Sequence, residues 1–302
     1  MKRLMIFDGS NVIMRAHYAV PAMTTKAGFP TNAIKGVVNI VIANIMKYKP
    51  THVVFVVDGS KKTHRHNIFP EYKGQRVKDQ EITERIRAQK PVIYDLLKAL
   101  GIRVLVKQGV EADDIIGTLN RLALDEGYET LIVSNDKDMA QLLEKGVTIL
   151  RQNTHTKQTD EITRKECEAI YGAKPKRIPC MLMMLGDSVD NIPGVKGIGA
   201  AAIKKLFATS KRIEKADTSV LNKAQVQAFE QARANFPLIR ELVTIDQNVI
   251  EFKVSRSRIR QADVKQIKRI GKAIEAAALT NAMLSFAASP NVKRKSKVKN
   301  IN

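Results

Sequence analysis

The chain has no tryptophan and only two cysteines in 302 residues, and aromatic side chains make up 5% of it. Cys167 and Cys180 cannot build a thiolate zinc site, and neither belongs to a Cys-x-x-Cys pair, so both read as buried thiols in a reducing compartment. No apolar run approaches the ~18 residues that read as a membrane-spanning helix. The apolar start of MKRLMIFDG meets Asp8 too early for a signal peptide. Acids are also scarce: 30 Asp and Glu stand against 51 Lys and Arg, for a net charge of +21. That excess points to a polyanionic partner, nucleic acid ahead of an anionic membrane. Hydrophobic content of 44% and charged content of 27% are ordinary for a globular chain. The length suits one large or two small domains.

Short apolar runs at 3–7, 52–57, 102–106, 130–134 and 147–150 read as strands, and helical patterns fall between them at 32–47, 79–100 and from 111 onward. Strands alternating with helices predict a mostly parallel sheet covered on both faces. Residues 60–78 are basic and poor in large aliphatics, and they read as exposed loop or mobile helix. Beyond 160 the strand signals fade, and helices are expected at 163–171, 175–186, 198–208 and 222–243. The stretch from 289 to 302 carries lysine and arginine with little to bury, so it reads as a disordered basic tail. The expected division is an α/β core over 1–160, a mainly helical part over 161–288, and that tail.

In a parallel sheet the functional crevice lies beyond the carboxyl ends of the strands. Asp8, Asp58 and Asp136 each follow a strand run, and Glu111, Asp113, Asp114 and Asp138 lie close by in sequence. Asp136 and Asp138, two apart in extended chain, should point the same way. Asp187 and Asp190 are spaced to share one face of a helical turn. No histidine or cysteine accompanies these nine acids, so the donor set suits Mg²⁺ or Mn²⁺ rather than zinc. Carboxylates converging without cations would raise one another's pKa, so convergence would make metal close to obligatory. If all nine share a site, the other 21 acids face 51 bases, giving a negative pocket in a strongly positive chain. Just after Asp190, GVKGIG at 194–199 leads into AAAIKKLF. Its glycines permit close backbone approach, and the helix start that follows offers free N–H groups to a phosphate. Read blandly, each of these is a common turn, a set of helix-terminal acids or a glycine cap.

Taken together, the motifs FDGSN (7–11), VVDG (56–59), EYKGQR (71–76), GVEADDIIG (109–117), SNDKDMAQLL (134–143) and GDSVDNIPGVKGIG (186–199) resemble the flap endonucleases, or 5′ nucleases. That family includes the 5′→3′ exonuclease domain of bacterial DNA polymerase I and stand-alone phage enzymes. The resemblance runs in order over roughly 3–285. It implies a PIN-like α/β fold with two divalent metal ions. Asp8, Asp58, Glu111 and Asp113 would surround the first, with Asp114 near; Asp136 and Asp138 would lie between the sites, and Asp187 and Asp190 at the second. It further implies a helical arch near 70–95, where Lys73 meets the scissile phosphate beside Tyr72 and Arg76. Gly194, Lys196, Gly197 and Gly199 would form a helix–hairpin motif that grips duplex backbone, with a potassium ion on its carbonyls. Where many relatives carry a lysine after that hairpin this chain has Ala201, with Lys204 and Lys205 one turn later.

The activity so implied is Mg²⁺-dependent cleavage of 5′ flaps and 5′ ends in branched, nicked or gapped DNA, and of RNA–DNA hybrids as in primer removal. Lys73, Asp136 and Asp138 would carry the chemistry. A monomer in the cytoplasm of a bacterium or phage-infected cell is expected. Two rivals remain: a branched-DNA binder without catalysis, and a phosphatase or phosphotransferase using Asp8 as nucleophile. The second leaves GVKGIG and the charge of +21 unexplained.

Overall fold

A computed structural model describes residues 2–74, 79–153, 156 and 158–289. Five parallel strands and one antiparallel edge strand form a six-stranded sheet in the order β3-β2-β1-β4-β5-β6. They are β1 (Arg3–Asp8), β2 (His52–Val56), β3 (Arg103–Leu105), β4 (Glu129–Val133), β5 (Val147–Gln152) and β6 (Thr159–Ile162). The first five match the apolar runs of the sequence. Thr159–Ile162 was not expected as a strand: TDEI has one apolar residue and gains its pairing from β5. The sheet therefore runs past residue 160.

The helices interleaved with these strands are α1 (Gly9–Ala19), α2 (Asn32–Tyr48), α3 (His64–Ile68), α4 (Gln80–Ala99) and α5 (Ala112–Asp125). After β6 come α6 (Cys167–Tyr171), α7 (Ile178–Leu185), α8 (Ala200–Thr209), α9 (Lys223–Arg233) and α10 (Phe236–Val243), then α11 (Val264–Ala273) and α12 (Ala277–Ala288). The single helix expected over 222–243 is two, because the chain leaves helical order at 234–235 and restarts at Phe236-Pro237. The expected helix at 163–171 shortens to Cys167–Tyr171. α1 is not legible in the sequence, where Asp8-Gly9-Ser10-Asn11 reads as a turn; Asp8 is its N-cap and accepts a hydrogen bond from the Asn11 N–H.

Successive residues of a strand face opposite sides, and here both sides are buried. Leu4 and Ile6 of β1 join Val54, Val56 and Ile132 in one core with α5 and the segments through α10. Met5 and Phe7 join Val53, Phe55 and Val133 in the other, with α1, α2, α4, α11 and α12. This double burial explains why the strands read as continuous apolar runs. The register pairs Asp8 with Val56 and Phe7 with Val133. β1, β2 and β4 thus end at one edge, and the acids that follow them emerge together.

Among the described residues no helix is long and apolar enough to cross a membrane. The basic tail, apart from Ser289, and Arg76 of the expected arch lie outside the described residues. The described part of the arch region comprises a turn over 71–74 and α4.

Candidate metal centre and nucleic-acid face

The strand ends are tied to one another by hydroxyls. Asp8 is 4% exposed and accepts from Ser134 Oγ at 2.7 Å and from the Asn11 N–H at 3.1 Å. Asp58 accepts from Ser10 Oγ at 2.5 Å and from the Ala112 N–H at 2.9 Å, so the end of β2 holds the first turn of α5. Ser10 and Ser134 were not singled out from the sequence, though both lie inside the motifs FDGSN and SNDKDM. Burial, with the neighbouring charges of Asp136 and Asp58, pushes the Asp8 carboxyl up to about 6 against the lowering effect of its two hydrogen bonds. Asp113 is held well above the ordinary carboxylate range, first by burial and then by Asp8 and Asp136.

Asp136 opens a tight helical turn over Lys137–Leu142 and accepts from the Asp138 N–H at 2.9 Å. The pair therefore does not run in extended chain, as expected; the Asp136 side chain caps the turn instead. Burial raises both carboxyls, Asp138 to about 7, where Asp136 is the next cause. Oδ1 of Asp138 is buried and has no hydrogen-bond partner.

Three side chains in the described part of the basic stretch, residues 60–74, are buried where its composition predicts solvent. Thr63, Arg65 and Tyr72 are 8%, 3% and 4% exposed. Arg65 on α3 donates to both oxygens of Asp114, at 2.6 and 2.8 Å, and to Glu111 Oε2 at 3.2 Å. It also donates to the backbone carbonyls of Leu242 and Thr244. Asp114 is 0% exposed and accepts as well from the Asp246 N–H. Its carboxylate is engaged by this buried pair, next to Glu111 through the shared guanidinium. In Glu-Ala-Asp-Asp, consecutive acids leave a helix in different directions, and Asp113 turns to Asp8 and Asp136.

Glu111 accepts from the Tyr72 hydroxyl at 3.2 Å and from Lys73 Nζ at 3.0 Å. Tyr72, expected as a DNA contact, presents no ring face to solvent and instead packs edge-on against His66 and steadies Glu111. Lys73, whose surroundings predict a solvated side chain, turns inward: Nζ also lies 3.9 Å from Asp190 Oδ2, and its N–H donates to the Asp190 carbonyl at 3.0 Å. Lys73 adopts a left-handed conformation, φ 58°, to make this turn.

Asp187 and Asp190 do not share a helical turn. Asp187 and Ile192 exchange backbone hydrogen bonds at 2.9 and 2.8 Å and close a compact loop in which Asp187 Oδ1 accepts from the Val189 and Asp190 N–H groups. Lys137 Nζ lies 3.0 Å from Asp187 Oδ2. Burial would raise the Asp187 carboxyl, but Lys137 and the two N–H groups together hold it below its ordinary value. The hairpin follows at once. Gly194 lies against Leu185 and Gly186 so closely that a Cβ would meet the Leu185 carbonyl at 2.5 Å. Gly197 has φ +75°, which favours glycine. Gly199 precedes α8, and a Cβ there would meet nothing within 4 Å. Lys196, Lys204, Lys205 and Ala201 are all exposed around this helix start.

The donor set is all oxygen, the carboxyls of Asp8, Asp113, Asp136 and Asp138 are pushed above their ordinary range, and one buried oxygen lacks a partner. These features fit divalent cations. Among the described residues no three acids already close around one point. The burden of charge has a measurable consequence. Asp138 keeps its proton in the folded state up to about 7, against an ordinary value of 3.8. Its contribution to stability is full below 3.8 and is lost as pH rises through about 7. The metal-free protein should therefore lose more stability between about pH 5 and about pH 8 than Asp138→Asn does, and Mg²⁺ should restore it. Equal pH profiles in thermal melts would show that Asp138 is not under this strain.

Acids gathered at the carboxyl edge of a parallel sheet, with lysines turned onto them and a glycine hairpin alongside, define a class of metal-dependent phosphodiester-cleaving enzyme. The comparisons narrow the class. Residues 3–172 match the model of the 5′-3′ exonuclease N-terminal resolvase-like domain, and 173–265 match the 5′-3′ exonuclease C-terminal SAM fold. The 5′-3′ exonuclease of Aquifex aeolicus is 33% identical over 273 residues, covering 89% of this chain and 91% of that protein. DNA polymerase I of Bacillus subtilis is 34% identical over 247 residues, covering 81% of this chain but only 28% of the polymerase. The chain belongs to the 5′-3′ exonuclease family, whose members are metal-dependent nucleases. The fold agrees: T5 5′-exonuclease with bound zinc superposes with a TM-score of 0.69 at 20% identity, over 95% of this chain and 100% of that one. Human GEN1 in complex with Holliday junction DNA gives 0.65 at 15% identity, over 94% and 71%.

Proposed function

We propose that this chain is a Mg²⁺-dependent, structure-specific 5′ nuclease, with Mn²⁺ able to substitute, that acts on DNA with 5′ single-stranded flaps and on nicked or gapped duplex. RNA–DNA hybrids, a monomeric state and the cytoplasm of a bacterium or phage-infected cell belong to the same reading. The observation that carries it is the mutual approach of Asp8, Asp113, Asp136 and Asp138 at one sheet edge within a chain of net charge +21. Asp8, Asp58, Glu111 and Asp113 would hold one divalent ion, with Asp136 and Asp138 between it and a second at Asp187 and Asp190. Bound there, the ions supply charge neutralisation and Lewis acidity at the scissile phosphate. Lys73 orients that phosphate and stabilises the charge that develops on it. Asp136→Asn should abolish most turnover while 5′-flap binding stays near normal or tightens, because one repulsive charge is gone. Full activity in that variant would remove Asp136 from the site.

The hairpin and the helix after it would hold duplex backbone, with Gly194, Lys196, Gly197 and Gly199 at the turn, Lys204 and Lys205 in place of a lysine at Ala201, and a potassium ion on the carbonyls of 194–199. Arg76 is assigned to the arch. Gly199 gives a clean test, since its φ of −104° suits any residue and its Cβ position is open. Gly199→Val should fold with an unchanged melting temperature yet bind nicked duplex roughly tenfold more weakly, as expected when a close phosphate approach is blocked. Normal binding would leave GVKGIG as a helix cap and nothing more.

A further inference from the structure

Asp187 has one oxygen to offer. Its Oδ1 is engaged inside its own loop, accepting from the Val189 N–H at 2.9 Å and the Asp190 N–H at 3.3 Å. Its Oδ2 faces Lys137 Nζ at 3.0 Å. Lys137 is carried on the turn between Asp136 and Asp138, so it is tethered to one acidic pair while it reaches across to another. Its side chain is 47% exposed, against 21% for Asp187, so the ammonium can leave without opening the core. Charge favours its staying, since Asp136 and Asp138 flank it in sequence and Asp187 faces it. A divalent ion that takes Asp187 as a ligand through its outward oxygen competes with this ammonium for it. The ammonium then stands beside a freshly neutralised acid cluster, where the nearest anion of opposite charge would be a phosphate of bound DNA.

We propose that Lys137 is a tethered cation that occupies Asp187 until a divalent ion displaces it, and that the displaced ammonium pairs with a phosphate of the bound strand, so that metal at Asp187 and DNA bind cooperatively. This rests on the nuclease reading and adds to it a coupling between two ligands. Lys137 is a positioning residue here: it keeps the acids from mutual repulsion in the free protein and links their neutralisation to substrate. The coupling is reciprocal, since whatever DNA adds to metal affinity metal adds to DNA affinity.

The test is calorimetric titration of Mn²⁺ into the full chain, without DNA and with a 5′-flap oligonucleotide carrying phosphorothioate linkages at the junction and checked for intactness afterwards. Wild type, Lys137→Met, Lys137→Gln and Asp187→Asn are compared, with thermal melts to confirm folding. Without DNA, Lys137→Met and Lys137→Gln should bind the weaker Mn²⁺ about two- to fivefold more tightly than wild type, the scale of one half-exposed ion pair. DNA should tighten that same site in wild type and do so much less in both variants. Equal Mn²⁺ affinity in wild type and the Lys137 variants, with the site lost in Asp187→Asn, would overturn the proposal and leave the metal reading intact. Unchanged Mn²⁺ stoichiometry in Asp187→Asn would instead defeat the assignment of metal to Asp187, and the proposal with it. Tighter Mn²⁺ binding with an undiminished DNA effect would overturn the phosphate half.

Discussion

Replacing Arg65 with alanine should cost about 3–5 kcal/mol of folding stability, the range for removing one partner of a buried ion pair. Arg65 and Asp114 side chains are 4% and 1% exposed, and the guanidinium grips both carboxylate oxygens. Its remaining donors reach Glu111 and the carbonyls of Leu242 and Thr244. The variant would leave Asp114 charged and uncompensated in the interior, with only the Asp246 N–H and weaker dipoles around it. It would also free the segment after α10 from the core, so limited proteolysis should open near 242–246. A double replacement, Arg65→Met with Asp114→Leu, should recover much of the loss, because apolar residues of similar volume often match a buried pair. Urea unfolding decides this: a cost below about 1 kcal/mol for Arg65→Ala would mean that water or another cation takes over the site.

Lys73→Ala should slow single-turnover cleavage by about 10²–10³, the scale for losing one preorganised donor. The free protein already holds this lysine against the acids, 3.0 Å from Glu111 and anchored through its N–H to the loop bearing Asp190. A phosphate arriving there meets a cation whose position is set in advance. Its help is greatest as charge builds in the transition state, so the loss should fall on rate more than on affinity. Binding of a 5′ flap in Ca²⁺ should weaken less than about tenfold, since one phosphate contact among many is removed. Equal losses in rate and binding would make Lys73 a general backbone contact. No loss in either would leave it a structural partner of Glu111 and Asp190.

The sheet was legible because both of its faces are buried, which turns β1, β2 and β4 into unbroken apolar runs. β6 was not, because TDEI is stabilised by its ladder with β5 and not by its own hydrophobicity. α1 hid behind a strand ending in Asp-Gly, a pair that reads as a turn until the side chain of Asp8 is seen capping a helix. At the site, strand-end acids could be placed from topology alone, since parallel strands present their carboxyl ends together. What sequence could not supply was which acids are already spoken for. Asp114 is distinguished from Asp113 by Arg65, nearly fifty residues earlier, in a segment whose basic composition suggested solvent. Lys137 carried no signal of its own; it sits between two acids in SNDKDM, and its reach to Asp187 exists only in three dimensions.

The central claim is that these acids form a metal-dependent centre for cutting 5′ flaps. Its most direct measurement is cleavage of a 5′-labelled flap on nicked duplex, beside blunt duplex and free single strand, in Mg²⁺ and in EDTA. The flap should be released in Mg²⁺, with blunt duplex and single strand cut far more slowly and no cleavage of any substrate in EDTA. Flap cleavage that persists in EDTA, or flap binding without cleavage in Mg²⁺, would contradict it.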